Sequence, residues 1–505
     1  MRRLWLLLAA FSLPASGGVC ESLQSLKLPD AVITMATPVA AGEFSAPAGR
    51  GGATGPNFKD LPAFCRVFLT LTPSSDSDIK VEVWLPVVGF NAVWNGKFEG
   101  TANGAYAGNI GYAALADALR RGYAAANTDT GHTGNSGSFA LGHPEKVIDF
   151  GYRAVHEMSV KAKAIVTAFY GSAPKLSYWN GCSTGGRQAL QEAQKYPEDY
   201  DGIIAGAPAN NTTRMTMMQL NVAQAIHKDE ASYIPASKFK VIHDAVIAAC
   251  DASDGVKDGV LENPTHCKFD PQVLGCKGVD SESCLTAPQL AALRRIYAPV
   301  INPRTKEYIF PGPEPGSELG WAMMIGPEPF SYADEFWKYM VMKDPAWDYK
   351  TLNFETDLAR ALKEDHGVVD ATDANLAPFF AHGGKLIQYH GWNDPGIAPE
   401  NSVNYYNKVA DTRGGAAKIK DEYRLFMVPG MAHCRGGEGT DTFDMLAALE
   451  RWREQGIAPA QIAAARFSKS GAAERTRPLC PYPQEAVYKG TGSTDEAANF
   501  TCKVP

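Results

Sequence analysis

The chain has 505 residues, 45% hydrophobic and 20% charged, so it is long enough to bury a large hydrophobic core. Its formal net charge of -7 provides no basic surface for nucleic acid or for an anionic membrane. The composition therefore excludes both as expected partners and indicates an ordinary globular protein.

The first residues have the pattern of a secretory signal peptide. Arg2 and Arg3 precede an apolar run over 4–13, and small residues follow it. The run is too short to span a bilayer, and no stretch of about 20 apolar residues occurs later in the chain. We therefore expect residues 1–18 to be a signal peptide and the protein to be secreted or periplasmic, in a bacterium, without a membrane span.

The 10 cysteines are an even number in a chain with an export signal, which predicts a disulfide framework. No two of them form a C-x-x-C pair, and this argues against a zinc site or a thioredoxin-like redox site. Spacing alone does not establish connectivity, but it suggests three local loops: Cys250 with Cys267, Cys276 with Cys284, and Cys480 with Cys502.

The hydrophobic pattern predicts strands that alternate with helices after an irregular N-terminal wrap over 21–65, which is rich in Gly, Ala and Pro. Such alternation indicates an α/β fold with a mostly parallel sheet and helices on both faces. The predicted strands are 66–71, 79–84, 96–100, 122–127, 176–180 and 202–206, and the predicted helices are 112–121, 155–170 and 186–196.

Strand signals become rare after Pro208 and resume at 385–390 and 423–428. An insertion between two strands of one sheet explains this gap better than a second independent domain. Ligands bind at the carboxyl ends of sheet strands, so such an insertion would act as a lid. We therefore predict a catalytic domain in two parts with a lid between them, over 19–208, 209–380 and 381–505.

Gly181-Cys-Ser-Thr-Gly185 matches the G-x-S-x-G pattern between a predicted strand and a predicted helix. The glycines permit a tight turn that exposes the hydroxyl of Ser183, as in the nucleophile turn of α/β-hydrolases. The helix that follows directs backbone N–H groups toward a developing oxyanion. The alternative is a glycine-rich turn with a solvated serine.

A serine hydroxyl needs a base, and the base needs an acid that orients it. In this fold the order along the chain is Ser, Asp, His. Asp394 and His433 each follow a predicted strand on the same edge of the sheet as Ser183. His390 is the rival base, but it precedes Asp394, so we predict His433 as the base.

Cysteines flank both predicted reactive residues, since Cys182 precedes Ser183 and Cys434 follows His433. A disulfide between them would hold their Cα atoms about 5.5 Å apart. It would thereby tether the serine turn to the histidine loop. The alternative is that each cysteine pairs elsewhere.

Three segments resemble the tannase/feruloyl esterase family: Gly-Cys-Ser-Thr-Gly-Gly-Arg at 181–187, Gly-Trp-Asn-Asp-Pro at 391–395 and Gly-Met-Ala-His-Cys at 430–434. The resemblance covers nearly the whole chain after the signal peptide. It implies an α/β-hydrolase fold with a helical, loop-rich lid, and a triad of Ser183, Asp394 and His433. It also implies five disulfides: Cys182–Cys434, Cys20–Cys65, Cys250–Cys267, Cys276–Cys284 and Cys480–Cys502.

The oxyanion hole is expected to use the N–H of Thr184, the residue after the nucleophile. A second N–H should come from the loop over 101–108, which resembles the glycine-rich loop of the family but has fewer glycines. We predict Gly104 as this donor, with Ala105 as the alternative.

An acidic loop over 251–260 is the second predicted site. Its three carboxylates would repel one another unless they were hydrated or bound a hard cation. Taken alone, the loop is explained slightly better by two Asp-Gly surface turns. The resemblance implies instead a structural Ca²⁺ held by the side chains of Asp251, Asp254 and Asp258 and the carbonyls of Val256 and Val260.

The predicted function is hydrolysis of a small aromatic ester, free or attached to plant polysaccharide or polyphenol. Feruloyl esters are favoured, followed by tannase substrates and by terephthalate monoesters, which one branch of the family hydrolyses. Two alternatives stay open: an acyltransferase or amidase with the same triad, and an inactive hydrolase fold that binds glycans with calcium. Residues 321–325 with Phe330, Phe336 and Trp337 form either an aromatic acyl pocket or plain core.

Overall fold

The computed structural model describes residues 17–47, 57–87, 93–106 and 108–505, with side chains from Cys20 onward. Residues 1–16 of the predicted signal peptide lie outside the described residues, so this assignment stays a prediction. In the described part of the chain, no helix has the length and apolar character needed to cross a membrane.

The strands are β1 (Ala31–Val39), β2 (Phe64–Leu71), β3 (Ile79–Pro86), β4 (Lys97–Thr101), β5 (Ala124–Thr128), β6 (Leu176–Cys182), β7 (Gly202–Gly206), β8 (Val300–Ile301), β9 (Tyr308–Phe310), β10 (Lys385–Gly391), β11 (Tyr423–Val428), β12 (Thr442–Phe443), β13 (Ile462–Phe467), β14 (Ala473–Leu479), β15 (Glu485–Tyr488) and β16 (Phe500–Lys503).

The α-helices are α1 (Gly17–Ser22), α2 (Tyr112–Arg120), α3 (Pro144–Ile148), α4 (Ala154–Tyr170), α5 (Thr184–Lys195), α6 (Thr212–Ile226), α7 (Phe239–Cys250), α8 (Ala287–Tyr297), α9 (Ser331–Glu335), α10 (Asp357–Asp365), α11 (Ala377–Ala381), α12 (Glu400–Thr412), α13 (Ala416–Ile419) and α14 (Met445–Gln455).

A nine-stranded sheet in the order β1-β2-β3-β5-β4-β6-β7-β10-β11 organises the molecule. The pairs from β1 to β5 are antiparallel, and the pairs from β5 through β4 to β11 are parallel. The predicted α/β class with a mostly parallel sheet is therefore confirmed.

Neighbouring residues along the central strands face opposite sides of the sheet, as strand geometry requires. Trp179 and Ile203 belong to one hydrophobic core, with α4, α5 and α12. Tyr178 and Ile204 belong to the other, with α2 and α14. Both faces of the sheet are thus covered by helices, which is why these strands have nearly continuous apolar sequences.

The prediction of an irregular wrap over 21–65 is wrong for residues 31–39, which form the edge strand β1. This strand pairs antiparallel with β2 and contains an irregularity between Ile33 and Met35. Pro38 is tolerated because an edge strand does not need every N–H for pairing. Only one face of β1 is well buried, so its sequence lacks the apolar run that marks the central strands.

The insertion lies between the adjacent parallel strands β7 and β10. It contains helices α6 to α11, the short hairpin of β8 and β9, and a hydrophobic core that is separate from the two sheet cores. Tyr106 and Phe150, from outside the insertion, also contribute to that core. The domain boundaries at 208 and 380 stay predictions.

Candidate active site

Ser183 occupies a strained turn between β6 and α5. Its φ of 66° lies in the left-handed region, which non-glycine residues rarely adopt. A Cβ added at Gly181 would lie 2.5 Å from the carbonyl oxygen of Gly185, and one added at Gly185 would lie 2.3 Å from the Cβ of Ala102. Close backbone approach therefore explains both glycines of the G-x-S-x-G segment.

The sheet register brings the three predicted triad residues to one edge. Cys182 pairs with Gly206 at the end of β7, and Gly391 pairs with Val428 at the carboxyl ends of β10 and β11. Ser183, Asp394 and His433 follow β6, β10 and β11 at these ends. Residues that lie 250 positions apart in sequence are thereby placed side by side.

The contacts between these side chains form a continuous chain of hydrogen bonds. Nδ1 of His433 lies 2.6 Å from Oδ2 of Asp394. Nε2 of His433 lies 2.9 Å from Oγ of Ser183. An ionised carboxylate only accepts hydrogen bonds, so Nδ1 carries the proton and Nε2 is free to accept the serine proton.

Asp394 is fully buried, and four donors surround its carboxylate. Oδ1 accepts the N–H groups of Gly396 at 2.9 Å and Ile397 at 3.0 Å. Oδ2 accepts from His433 and from Nε2 of His390, at 3.1 Å. Burial would raise the pKa of Asp394, but the charge of His433 and the hydrogen bonds from both histidines hold it well below its ordinary value.

His390 supports the acid and is not placed as the base. Its Nδ1 lies 2.7 Å from Oγ of Ser402, and the imidazole is completely buried. Ser402 donates to Nδ1, which leaves the proton on Nε2 for Asp394. The sequence order identified His390 only as a rival to His433; its four-residue spacing from Asp394 was the signal for this contact.

The imidazole of His433 is set up to hold a proton during a reaction. Burial disfavours its charged form, but the nearby charge of Asp394 and the hydrogen bond to that carboxylate have the larger combined effect. The pKa of His433 is therefore raised above its ordinary value. A raised pKa makes the imidazole a stronger base toward the serine hydroxyl.

All five disulfides have the pairing that the family resemblance implies: Cys20–Cys65, Cys182–Cys434, Cys250–Cys267, Cys276–Cys284 and Cys480–Cys502. Cys182 and Cys434 have their Cα atoms 6.1 Å apart, across a sequence separation of 252 residues. This bridge joins the turn that carries Ser183 directly to the loop that carries His433.

A cavity of about 380 Å³ opens beside Ser183. This volume lies within the range of about 300–1,000 Å³ typical of ligand pockets. Apart from the reactive side chains, most of the wall is apolar, and the insertion supplies much of it: Ala209, Met215, Gln219, Met323, Phe330 and Tyr332. The site therefore suits an apolar acyl group next to a polar reaction centre.

Both predicted oxyanion donors line this cavity, and so does Ala105. The hydroxyl of Thr184 donates to the carbonyl of Ala105 at 2.9 Å, which joins the two loops. Thr184 is the first residue of α5, so its N–H belongs to the helix N-terminus and has no partner within the helix. Which N–H of the 104–105 loop faces an oxyanion stays a prediction.

The aromatic stretch of the insertion divides between the cavity and the core. Met323 and Phe330 line the cavity beside Ser183, while Trp321, Phe336 and Trp337 are buried in the core of the insertion. Sequence analysis did not predict three of the lining residues, Met215, Gln219 and Tyr332. Nothing in their local sequence pattern distinguishes a residue of the pocket wall from a residue of the hydrophobic core.

The acidic loop surrounds a much smaller cavity, of about 20 Å³. Its lining includes the predicted residues Asp254, Val256, Asp258 and Val260. Asp251 does not line it and instead accepts the N–H groups of Asp258 and Gly259, at 3.3 and 3.0 Å. The volume is about that of one water-sized particle.

Glu262 is an additional carboxylate in this cavity that the sequence did not indicate. Burial, with the nearby charge of Asp254, raises the pKa of Glu262 to about 8. Burial likewise raises the pKa of Asp254, while Asp258 pairs with Arg477 and Arg475. These carboxyl groups are partly exposed, and Arg475 and Arg477 line the same cavity and offset part of their charge. The loop offers oxygen donors of the kind that a hard cation such as Ca²⁺ prefers.

The mostly parallel sheet covered by helices, the insertion between β7 and β10, and the serine turn at the end of β6 define an α/β-hydrolase. The family model described as tannase and feruloyl esterase matches residues 65–503. An uncharacterized esterase of Xanthomonas campestris pv. campestris is 40% identical, with 98% of this chain and 92% of that protein covered.

Two fungal proteins are also similar over most of their length. The probable feruloyl esterase B-2 of Aspergillus terreus is 35% identical, with 95% of this chain and 94% of that protein covered. The crystal structure of feruloyl esterase B from Aspergillus oryzae has a TM-score of 0.90 at 32% identity, covering 97% of this chain and all of the other. The chain belongs to the tannase and feruloyl esterase family and is a carboxylic-ester hydrolase.

Proposed function

We propose that this esterase cleaves esters of aromatic acids through an acyl-enzyme on Ser183, with feruloyl esters as the preferred class. The proposal rests on two hydrogen bonds at the wall of an apolar cavity, one between Ser183 and His433 and one between His433 and Asp394. A flat aromatic acyl group fits walls such as Phe330 and Tyr332, because aromatic rings pack favourably against one another.

In the first step, Oγ of Ser183 attacks the ester carbonyl carbon while Nε2 of His433 takes the hydroxyl proton. The carbonyl oxygen becomes an oxyanion, which the N–H groups of Thr184 and Gly104 would stabilise. The tetrahedral intermediate collapses when the C–O bond to the alcohol breaks and His433 returns its proton to that alcohol.

In the second step, water attacks the acyl-enzyme carbonyl and gives a proton to His433. Collapse of this intermediate breaks the bond to Oγ, returns the proton to Ser183 and releases the aromatic acid. Asp394 stays ionised throughout, since four donors stabilise its charge, and it holds the imidazole in the productive orientation.

Two features around the reaction centre belong to the same proposal. Residues 209–380 act as a lid whose side chains select the acyl group. A Ca²⁺ ion held by the loop over 251–262 stabilises that lid; it takes no part in the chemistry.

Five disulfides are typical of proteins from oxidising compartments, and this supports secretion or export to the periplasm after removal of a signal peptide.

The substrate class is supported by the names of the relatives, which include feruloyl esterases, and by the size and apolar walls of the cavity. Gallate esters and terephthalate monoesters present similar flat acyl groups and are the next candidates. An acyltransferase with the same triad would transfer the acyl group to an alcohol in preference to water.

The test compares methyl ferulate, methyl gallate and a terephthalate monoester side by side, with the free acid and any transfer product quantified. We expect the highest kcat/KM on methyl ferulate, with free acid as the product. Turnover restricted to one of the other esters would reassign the acyl group. A product ester that outweighs free acid when an alcohol is added would identify a transferase.

A further inference from the structure

The helix that follows Ser183 carries a row of hydrogen-bond donors that the proposed mechanism does not use. Arg187, Gln191 and Gln194 are spaced four and three residues apart, so their side chains share one face of α5. We call these three residues the donor face of α5. Arg187 and Gln191 are completely buried. Buried polar groups are costly unless they are bonded, so the partners of the donor face indicate its role.

Arg187 fixes α5 against the segment that precedes α4. Its Nη1 donates to the carbonyl of Gly151 at 2.7 Å, and its Nη2 donates to the carbonyl of Phe150 at 3.1 Å. The guanidinium also lies over the ring of Phe150, with 4.7 Å between Cζ and the ring centroid. A longer contact of 3.4 Å joins Nη1 to the carbonyl of Val369, in the insertion. Arg187 thus lies where α5, the start of α4 and the insertion meet.

The two glutamines bind the insertion more closely. Nε2 of Gln191 donates to the carbonyls of Val368 at 3.0 Å and Asp370 at 3.2 Å. Nε2 of Gln194 donates to the carbonyl of Ala371 at 2.9 Å. Residues 368–371 belong to the part of the insertion through which the chain returns toward β10. The donor face therefore holds this return segment along α5.

The return segment is bonded in turn to the segment where the insertion begins. The N–H of Ala371 donates to the carbonyl of Asn210 at 2.7 Å, and the side-chain amide of Asn210 donates to the carbonyl of Ala371 at 3.3 Å. The N–H of Thr213 donates to Oδ1 of Asp370 at 2.9 Å. We call residues 209–213 and 368–371 together the insertion root. Its two segments form one hydrogen-bonded unit on α5.

The insertion root reaches both the nucleophile and the pocket. The N–H of Ala209 donates to the carbonyl of Ser183 at 3.2 Å, and Ala209 lines the cavity. Met215 and Gln219, which also line the cavity, lie on α6 directly after the first segment of the root. The position of this wall relative to Oγ of Ser183 therefore depends on how firmly the root is held on α5.

We propose that Gln191 and Gln194 are positioning residues for selection of the acyl group. They hold the insertion root on α5, so that the wall formed by Ala209 and α6 is in place before a substrate binds. A preformed wall reduces the ordering cost of binding an acyl group that fits it. This inference rests on the proposed esterase function and concerns the acyl side of that site. It predicts that loosening the root impairs esters whose acyl group fills the pocket and spares esters with a very small acyl group.

Hydrogen exchange of the full chain, followed by mass spectrometry, tests whether the donor face holds the root. In the double variant Gln191→Leu/Gln194→Leu, we expect the peptides that cover 209–213 and 368–371 to exchange at least about tenfold faster than in the wild-type protein. Unchanged exchange at the root in this variant would overturn the proposal.

Gln224→Leu is the matched control. Nε2 of Gln224 likewise donates to backbone carbonyls, among them those of Tyr349 at 3.0 Å and Leu352 at 3.2 Å, but these bonds lie within the insertion. The change removes the same kind of contact without touching α5. We expect it to leave exchange at the root unchanged.

Steady-state kinetics test the consequence for acyl selection. On methyl ferulate the double variant should lose about tenfold in kcat/KM, mainly through KM. On p-nitrophenyl acetate it should stay within about twofold, because an acetyl group is too small to fill a cavity of about 380 Å³. Retained acetate turnover also shows that the variant folds and that its triad is intact. Equal losses on the two esters, or no loss on methyl ferulate, would overturn the proposal.

The single variant Gln191→Leu covers the case in which the double variant does not fold. It removes two of the three hydrogen bonds that the glutamines make to the insertion, and it should show the same split with a smaller loss, of about threefold. Equal effects on both esters would again overturn the proposal. Failure of the wild-type protein on every aromatic ester, with p-nitrophenyl acetate still cleaved, would overturn the proposed acyl class instead; the exchange experiment would still decide whether the donor face holds the root.

Discussion

The Ser183 pocket and the acidic loop over 251–262 are built in opposite ways. The pocket brings together the reactive side chains of Ser183 and His433, which lie 250 residues apart, from the ends of parallel strands. The loop takes its carboxylates from one short segment, and residues 254, 256, 258, 260 and 262 line its cavity in alternation. The first arrangement depends on the sheet and the bridge between Cys182 and Cys434. The second takes its carboxylates from one segment, while residues from 429–500, among them Arg475 and Arg477, close its cavity.

This difference predicts two kinds of effect. Changes in the pocket should lower the rate and leave folding nearly intact, because its residues are held by the sheet. Changes in the acidic loop should lower the stability of the lid and leave the chemistry nearly intact. A single substitution that lowers both the catalytic rate and the stability by a large amount would contradict this distinction.

Asp394→Asn should have the largest effect, a loss of about 10⁴-fold in kcat, because an amide cannot hold His433 in the required tautomer. Loss of the neighbouring charge should also lower the pKa of His433. Activity requires neutral His433, so the acid limb of kcat/KM should move to lower pH. Both statements are tested by measuring kcat and kcat/KM on methyl ferulate as a function of pH. Asp411→Asn, on the surface of α12, is the control.

Removal of the bridge with Cys182→Ala and Cys434→Ala should lower kcat by about 10- to 100-fold, since a misplacement of about 1 Å can cost this much. Cys276→Ala with Cys284→Ala opens a loop of sequence separation 8 in the insertion and serves as the control. Kinetics are measured well below each melting temperature. Full turnover by the first double variant would show that the sheet alone aligns Ser183 and His433.

His390→Leu should reduce kcat by about tenfold and leave KM nearly unchanged, because it removes one of the four donors to Asp394 without touching the cavity. His390→Gln offers an amide that can donate to Asp394 and accept from Ser402, so it should recover part of the rate. Equal losses in the two variants would indicate a packing role only.

Calcium removal should have the smallest effect on rate. We expect chelation, or Asp254→Asn, to lower the melting temperature by several degrees and to keep kcat within about twofold, because an ion that binds only the folded state stabilises it. Glu230→Gln, an exposed change in the same insertion, is the control. A melting temperature that is insensitive to added calcium would exclude the ion.

The predictable part of the fold is the part with simple sequence signals. The central strands and the helices that cover them have continuous apolar runs or helical spacing, and the predicted and observed bounds agree to within a few residues. Edge strand β1 and the small sheets after residue 440 lack such runs, because their residues are buried on one side at most or pair over only a few positions.

For the site, the order of Ser, Asp and His and their placement after strands were enough to predict which side chains meet. The walls of the pocket were not predictable, since Met215, Phe330 and Ile397 come from distant segments of ordinary composition. The supporting role of His390 was not predicted, because the order along the chain marks it only as a rival base, although its four-residue spacing from Asp394 indicates the contact. Glu262 lies just beyond the acidic run at 251–260, and only the fold shows that it lines the same cavity.

The most direct test of the account is covalent capture of the nucleophile. The enzyme is treated with an aryl phosphonate that mimics the tetrahedral intermediate, and the adduct is located by intact mass and peptide mapping. We expect a single adduct on Ser183, and we expect Ser183→Ala to abolish both the adduct and ester hydrolysis. An adduct on another residue, or undiminished ester turnover by Ser183→Ala, would contradict it.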